Sequence, residues 1–204
     1  MTKPEVTDPF ATYLEAAGSF ADLVAELPPD LSGPGLGDWD LRALVGHTSR
    51  ALVTVLEYLH KPAPTVELAH PADYVMASGA PAASDSGVTD RGIAAGAALG
   101  ADPLASVRRL VELVTDDLAG ADPDRLLATF AGAMRLRDYL PTRTFELVVH
   151  GLDISLAVPV LWTPPPPALR SAVELATEVA LRRGEGTLLL RLVTGREPGG
   201  FSIV

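Results

Sequence analysis

Apolar residues recur at helical spacing through two long stretches, and this pattern limits the fold more than any other feature. In residues 39–59 the series is Leu41, Leu44, Val45, Leu52, Val55, Leu56 and Leu59. Steps of three and four residues place these side chains along one stripe of an α-helix. Residues 140–157 are apolar on most sides, with Phe145, Leu147, Val148, Val149, Leu152 and Ile154. Such a helix has to lie inside a bundle.

Local signals place the remaining helices. Asp8-Pro9 is a start signal, because Asp caps open N–H groups and Pro suits a first turn. That helix carries Tyr13, Leu14, Phe20, Leu23 and Val24 and stops before Pro28-Pro29. Asp38 is the expected start of the second helix. Residues 60–87 carry a weaker signal, with one short helix expected over 72–77, and form a long connection of the kind that often serves function. A third helical region spans 89–118 and is bent or restarted at Asp102-Pro103. Residues 129–134 read as a turn with an extended piece. The fourth long helix is expected to begin near Leu140-Pro141 and to end near Ala157.

Together these elements predict a mainly α fold, a four-helix bundle over residues 1–160. Residues 161–204 are expected to form a short α/β appendage. Its parts are the proline run Pro164 to Pro167, a helix over 168–183, and a β-hairpin. The hairpin strands are 187–194 and 201–204, joined by the turn Glu197-Pro198-Gly199-Gly200.

Composition excludes several function classes. The 204 residues carry a net charge of −10, and Arg108-Arg109 and Arg182-Arg183 are the only adjacent basic pairs. Nucleic-acid binding is therefore not expected. No apolar run approaches the roughly 20 residues that span a bilayer, and MTKPEVTDPF lacks a signal-peptide pattern. A cytoplasmic protein without membrane contact is expected. There is no cysteine, so neither a disulfide nor a cysteine-ligated metal can form, and any thiol chemistry needs an external thiol.

The segment TFELVVHGLD carries the candidate chemistry. Glu146 and His150 are four residues apart and share a helix face, about 6 Å apart at Cβ. Arg143 and Asp153 fall within roughly one quadrant of that face. A narrow polar stripe on an apolar helix needs partners, and a metal ion is one. His47, at the edge of the stripe in the second helix, is the candidate third ligand. Two His and one carboxylate leave an open position of the kind catalytic zinc sites keep. Each residue also has a plainer reading. His47 alone can be a packed, hydrogen-bonded core residue. The E-x-x-x-H spacing is common by chance, and Arg143 with Glu146 can be an i,i+3 ion pair. Asp153 can be a polar residue near a helix end. Tyr58 and Tyr74 are candidates to line a pocket, with core packing the stronger reading for Tyr58. His60 and His70 fall in expected loops and read as solvated.

Two segments resemble the mycothiol-dependent maleylpyruvate isomerase family of the DinB-like superfamily. GDWDLRALVGHTSRALVTVLEYL is similar to the family's second helix, in which a Trp precedes a metal-binding His; Trp39 and His47 match. MRLRDYLPTRTFELVVHGLDISLAVP is similar to its fourth helix, matched by Arg143, Glu146, His150 and Asp153. The resemblance covers roughly the first 160 residues. It implies a DinB-like bundle with a divalent metal, zinc first, held by His47, Glu146 and His150. It further implies a thiol transferase or isomerase that uses mycothiol on a small electrophilic substrate. In that reading Arg143 is a catalytic residue that holds a carboxylate, and Asp153 orients a ligand histidine. The chain departs from the family after the proline run, where full-length isomerases often carry a larger second domain. The short tail covers the bundle or makes a homodimer contact. A non-catalytic metal-binding or regulatory bundle and a metal-dependent hydrolase are the alternative functions.

Overall fold

A computed structural model describes residues 8–78 and 85–196. It is mainly helical. The elements run α1 (Pro9–Ala25), α2 (Leu41–Leu59), α3 (Pro71–Ser78), α4 (Asp85–Ala98) and α5 (Pro103–Leu118). They continue with β1 (Leu126–Ala128), β2 (Ala133–Arg135), α6 (Leu136–Ala157), α7 (Pro166–Arg182) and α8 (Gly186–Val193).

Three helix starts, those of α1, α2 and α5, follow the capping rule. Asp8 accepts from Phe10 N at 3.0 Å, Asp40 from Ala43 N at 2.7 Å and Asp102 from Ala105 N at 2.9 Å. Each cap satisfies a donor that the helix leaves open, worth about 1 kcal/mol. The second cap is Asp40 and not Asp38. The backbone of residues 33–41 folds back on itself, with Leu41 N on Gly33 O and Gly35 N on Trp39 O. That turn consumes Trp39, so the helix begins after it.

The bundle is built from α1, α2, α5 and α6, with α4 laid against α2. Its core includes Tyr13, Phe20, Leu44, Leu52, Leu140 and Ile154, all fully buried. Each such side chain contributes roughly 1.5–3 kcal/mol by leaving water. Close approach of α2 and α4 depends on glycine, since a Cβ on Gly46 would lie 2.1 Å from Gly96 N. The third helical region is two helices, with a clean restart at Asp102-Pro103. β1 and β2 form a small antiparallel hairpin, pairing Leu126 with Arg135 and Ala128 with Ala133.

Helix α6 begins at Leu136, a turn earlier than the proline signal suggests, and Pro141 lies inside it. Pro141 has no N–H for the carbonyl of Arg137. Arg137, Asp138 and Pro141 all line an open cleft. α7 shares the core with α1 and α6 through Ala168, Ala172, Leu175 and Val179. It starts at Pro166, so the last two prolines of the run form its first turn.

The expected strand over 187–194 is instead the helix α8. Its run TLLLRL is rich in Leu and Arg, which favour helix, and a short apolar run does not reveal its period. The turn at Glu197 to Gly200 and the strand over 201–204 lie outside the described residues. No described helix is long and apolar enough to cross a membrane.

Candidate metal centre

Two helices meet at the site. α6 presents Arg143, Glu146, His150 and Asp153 from successive turns, and α2 presents His47 opposite them. One ligand atom from each of His47, Glu146 and His150 lies within 4.8 Å of the other two. His150 Nε2 is 3.3 Å from Glu146 Oε2, and His47 Nε2 is 3.9 Å from the same oxygen. The two imidazole rings are 4.8 Å apart at their centroids, edge to face. The sequence therefore placed all three candidate ligands at one point in space.

The donor set fits a divalent cation. Among the described residues, His47 finds no hydrogen-bond partner at either ring nitrogen. Its Nδ1 is buried without a partner, and 3.9 Å is beyond hydrogen-bond range for Nε2. An imidazole without partners, facing a carboxylate and a second imidazole, is costly unless a cation joins them. The side chains of His47, Glu146 and His150 remain 21%, 31% and 16% exposed. That exposure leaves one side open, as a catalytic site requires and a closed structural site does not.

Surrounding groups fix the orientation of the histidines. His150 Nδ1 lies 3.0 Å from Asp153 Oδ2. A carboxylate only accepts, so Nδ1 carries the proton and Nε2 is turned toward Glu146. Trp39 packs on His47 with ring centroids 4.5 Å apart. Trp39 is itself pinned by its Nε1 donating to Thr89 O at 3.1 Å and by Gly92, where a Cβ would come within 2.4 Å of the indole.

The electrostatics separate the three groups. Burial and the nearby His150 charge push His47 down to about 4, so it is neutral near pH 7. Burial opposes charge on Glu146, but the His150 hydrogen bond and the Arg143 charge outweigh it and hold the carboxyl at about 2. Burial likewise opposes charge on His150, but Asp153 and Glu146 raise it to about 9.

Arg143 does not form the i,i+3 ion pair with Glu146. Its guanidinium lies 5.0 Å from the ring centroids of both Tyr74 and Tyr139, and Nε donates to Thr142 Oγ1 at 3.1 Å. Aromatic faces favour a cation there. Burial would lower its pKa, but the neighbouring tyrosines and Glu146 raise it. Tyr139 was missed by the sequence reading, although its i,i+4 spacing to Arg143 is visible. Tyr74 reaches Arg143 from α3. Tyr58 packs against Tyr139 with ring centroids 5.6 Å apart. His60 and His70 are exposed and stand apart from the centre.

No curated protein and no solved structure matches the chain. The family model described as mycothiol maleylpyruvate isomerase N-terminal domain matches residues 13–155, a span that takes in α2 and α5, most of α1 and α6, and every residue of the centre. The chain belongs to the mycothiol maleylpyruvate isomerase N-terminal domain family.

Proposed function

We propose that the chain is a zinc-dependent thiol transferase or isomerase that uses a low-molecular-weight thiol, mycothiol, on a small electrophilic substrate. The observation that carries this reading is the convergence of two imidazoles and one carboxylate from α2 and α6 within 4.8 Å, open on one side. His47, Glu146 and His150 would hold the zinc, which would supply Lewis acidity to lower the pKa of an external thiol. The chain has no cysteine, so no internal thiol competes for the open side.

The protein's own residues do the positioning. Asp153 holds the His150 ring so that Nε2 faces the centre. Trp39 fixes the plane of the His47 ring and walls off water on that side. Arg143 offers the free edge of its guanidinium to a carboxylate on the substrate or the thiol, a pairing that bidentate geometry strengthens. Tyr74 and Tyr139 hold the guanidinium in place, which lowers the ordering cost of that contact.

Elemental analysis of protein purified without added metal, followed by a mycothiol-transfer assay on electrophilic substrates, tests the reading. One zinc per chain and thiol-dependent turnover are expected, both lost in His47→Ala. Bound zinc without thiol dependence would leave a binding module, and turnover without thiol would make the chain a hydrolase. Absence of metal from protein whose three ligands are intact, even after zinc is added, would remove the basis of the proposal.

A further inference from the structure

A second recess opens on another flank of α2. It is a groove of about 610 Å³ in the fork between α2, the end of α4 and the start of α5. Small-molecule sites fall in the range of roughly 300–1,000 Å³ and combine apolar walls with a few polar groups. Here the walls include Val53, Ala95, Leu99 and Leu110. Gly46 is small because α4 passes against it. That reason does not extend to Ala98, Ala101 and Ala105, which are exposed and keep the groove open.

Nearly every polar side chain on the lining is already engaged. The Ser49 hydroxyl donates to Val45 O at 2.8 Å, and the Ser106 hydroxyl to Leu99 O at 2.7 Å. Asp102 caps α5, and Arg109 pairs with Glu112 at 3.2 Å. The exception is Arg50. Its side chain is half-buried and makes no hydrogen bond or ion pair among the described residues. A half-buried guanidinium at the edge of an apolar groove is an unmet demand for an anion. The excess of acidic residues in the chain, a net −10, makes it more notable that none of the described ones pairs with this Arg.

We propose that the groove binds a small amphipathic anion, a carboxylate with an apolar chain that lies along α4 and α5 while its head pairs with Arg50. The site is separate from the metal centre and does not need the metal. It is also adjacent to it, because Arg50 follows His47 by one turn of α2 and its charge reaches that imidazole. A carboxylate on Arg50 is thereby held beside the centre without occupying it.

Titration calorimetry with octanoate, and with octanol as the uncharged control, tests the site on the full chain. Octanoate is expected to bind one to one, at least about tenfold more tightly than octanol, since a hydrogen bond to a charged group accounts for such a factor. Arg50→Gln is expected to reduce octanoate to the level of octanol. Ala105→Phe, at an exposed position, is expected to fill the groove and abolish octanoate binding while zinc content and melting temperature stay unchanged. The proposal is overturned if octanoate shows no saturable binding, if octanol binds equally well, or if Ala105→Phe leaves octanoate affinity intact. Should Arg50→Gln fail to fold, the alcohol control and Ala105→Phe still decide.

Discussion

Zinc binding is expected to expel close to one proton at pH 7.5. In the metal-free centre Glu146 is ionised and His47 is neutral, but His150, raised to about 9, still holds a proton on the nitrogen that a cation needs. The rise from the ordinary 6.5 to about 9 makes affinity climb about tenfold per pH unit across that interval. At pH 7 the apparent affinity is then about a hundredfold below its alkaline limit, or about 3 kcal/mol. With an ordinary histidine the curve would already be flat above pH 7. The assay is competition against a chromophoric chelator from pH 6 to 10, with calorimetry in buffers of different ionisation enthalpy to count protons. Asp153→Asn replaces the carboxylate that faces His150 Nδ1 and supports its charge, and should move the plateau to lower pH. An affinity that does not change between pH 7 and 8.5, or no proton release at pH 7.5, refutes this account of the centre.

Three further outcomes follow from the same geometry. The stability of metal-free protein should peak near pH 6.5 in chemical denaturation. The His150 contribution is complete below 6.5 and disappears as pH rises through about 9, whereas the His47 contribution is complete above 6.5 and disappears as pH falls through about 4. Saturating zinc should flatten the alkaline side of that profile. Zinc should also change Trp emission, and Trp39→Phe should remove the change, because Trp39 touches His47 while Trp162 is held elsewhere by Ser19. Gly151→Ala should lower stability by about 1–3 kcal/mol in a denaturant titration, since the new methyl would lie 2.5 Å from the Trp162 ring.

The centre was largely legible because its α6 half is local. Arg143, Glu146, His150 and Asp153 are set by helical spacing alone, and the surrounding apolar residues require that stripe to face inward. His47 was different. Nothing in its neighbourhood distinguishes a ligand from a packed histidine, and the resemblance to a family supplied what spacing could not. The tyrosine environment of Arg143 was only half legible, since Tyr139 is one turn away on α6 but Tyr74 arrives from α3. The helix boundaries show the same division. Asp8 and Asp102 cap as their sequences suggest. The choice between Asp38 and Asp40 depends on backbone pairing across the 33–41 turn. Pro141 sits inside α6, where it borders an open cleft. The TLLLRL run of α8 contains no period long enough to separate strand from helix, and no residue of α8 is buried to declare a face.

Enclosing Arg143 between two phenol rings, with Glu146 close enough to act on it by charge but not ion-paired to it, has a kinetic consequence. The molecule as a whole repels anions, with its net charge of −10, yet this guanidinium attracts them at short range. Added salt screens the outer repulsion over about 10 Å at 0.1 M but hardly touches a cation shielded by aromatic walls. An anionic ligand of Arg143 should therefore arrive faster as ionic strength rises, while its rate of departure stays nearly constant.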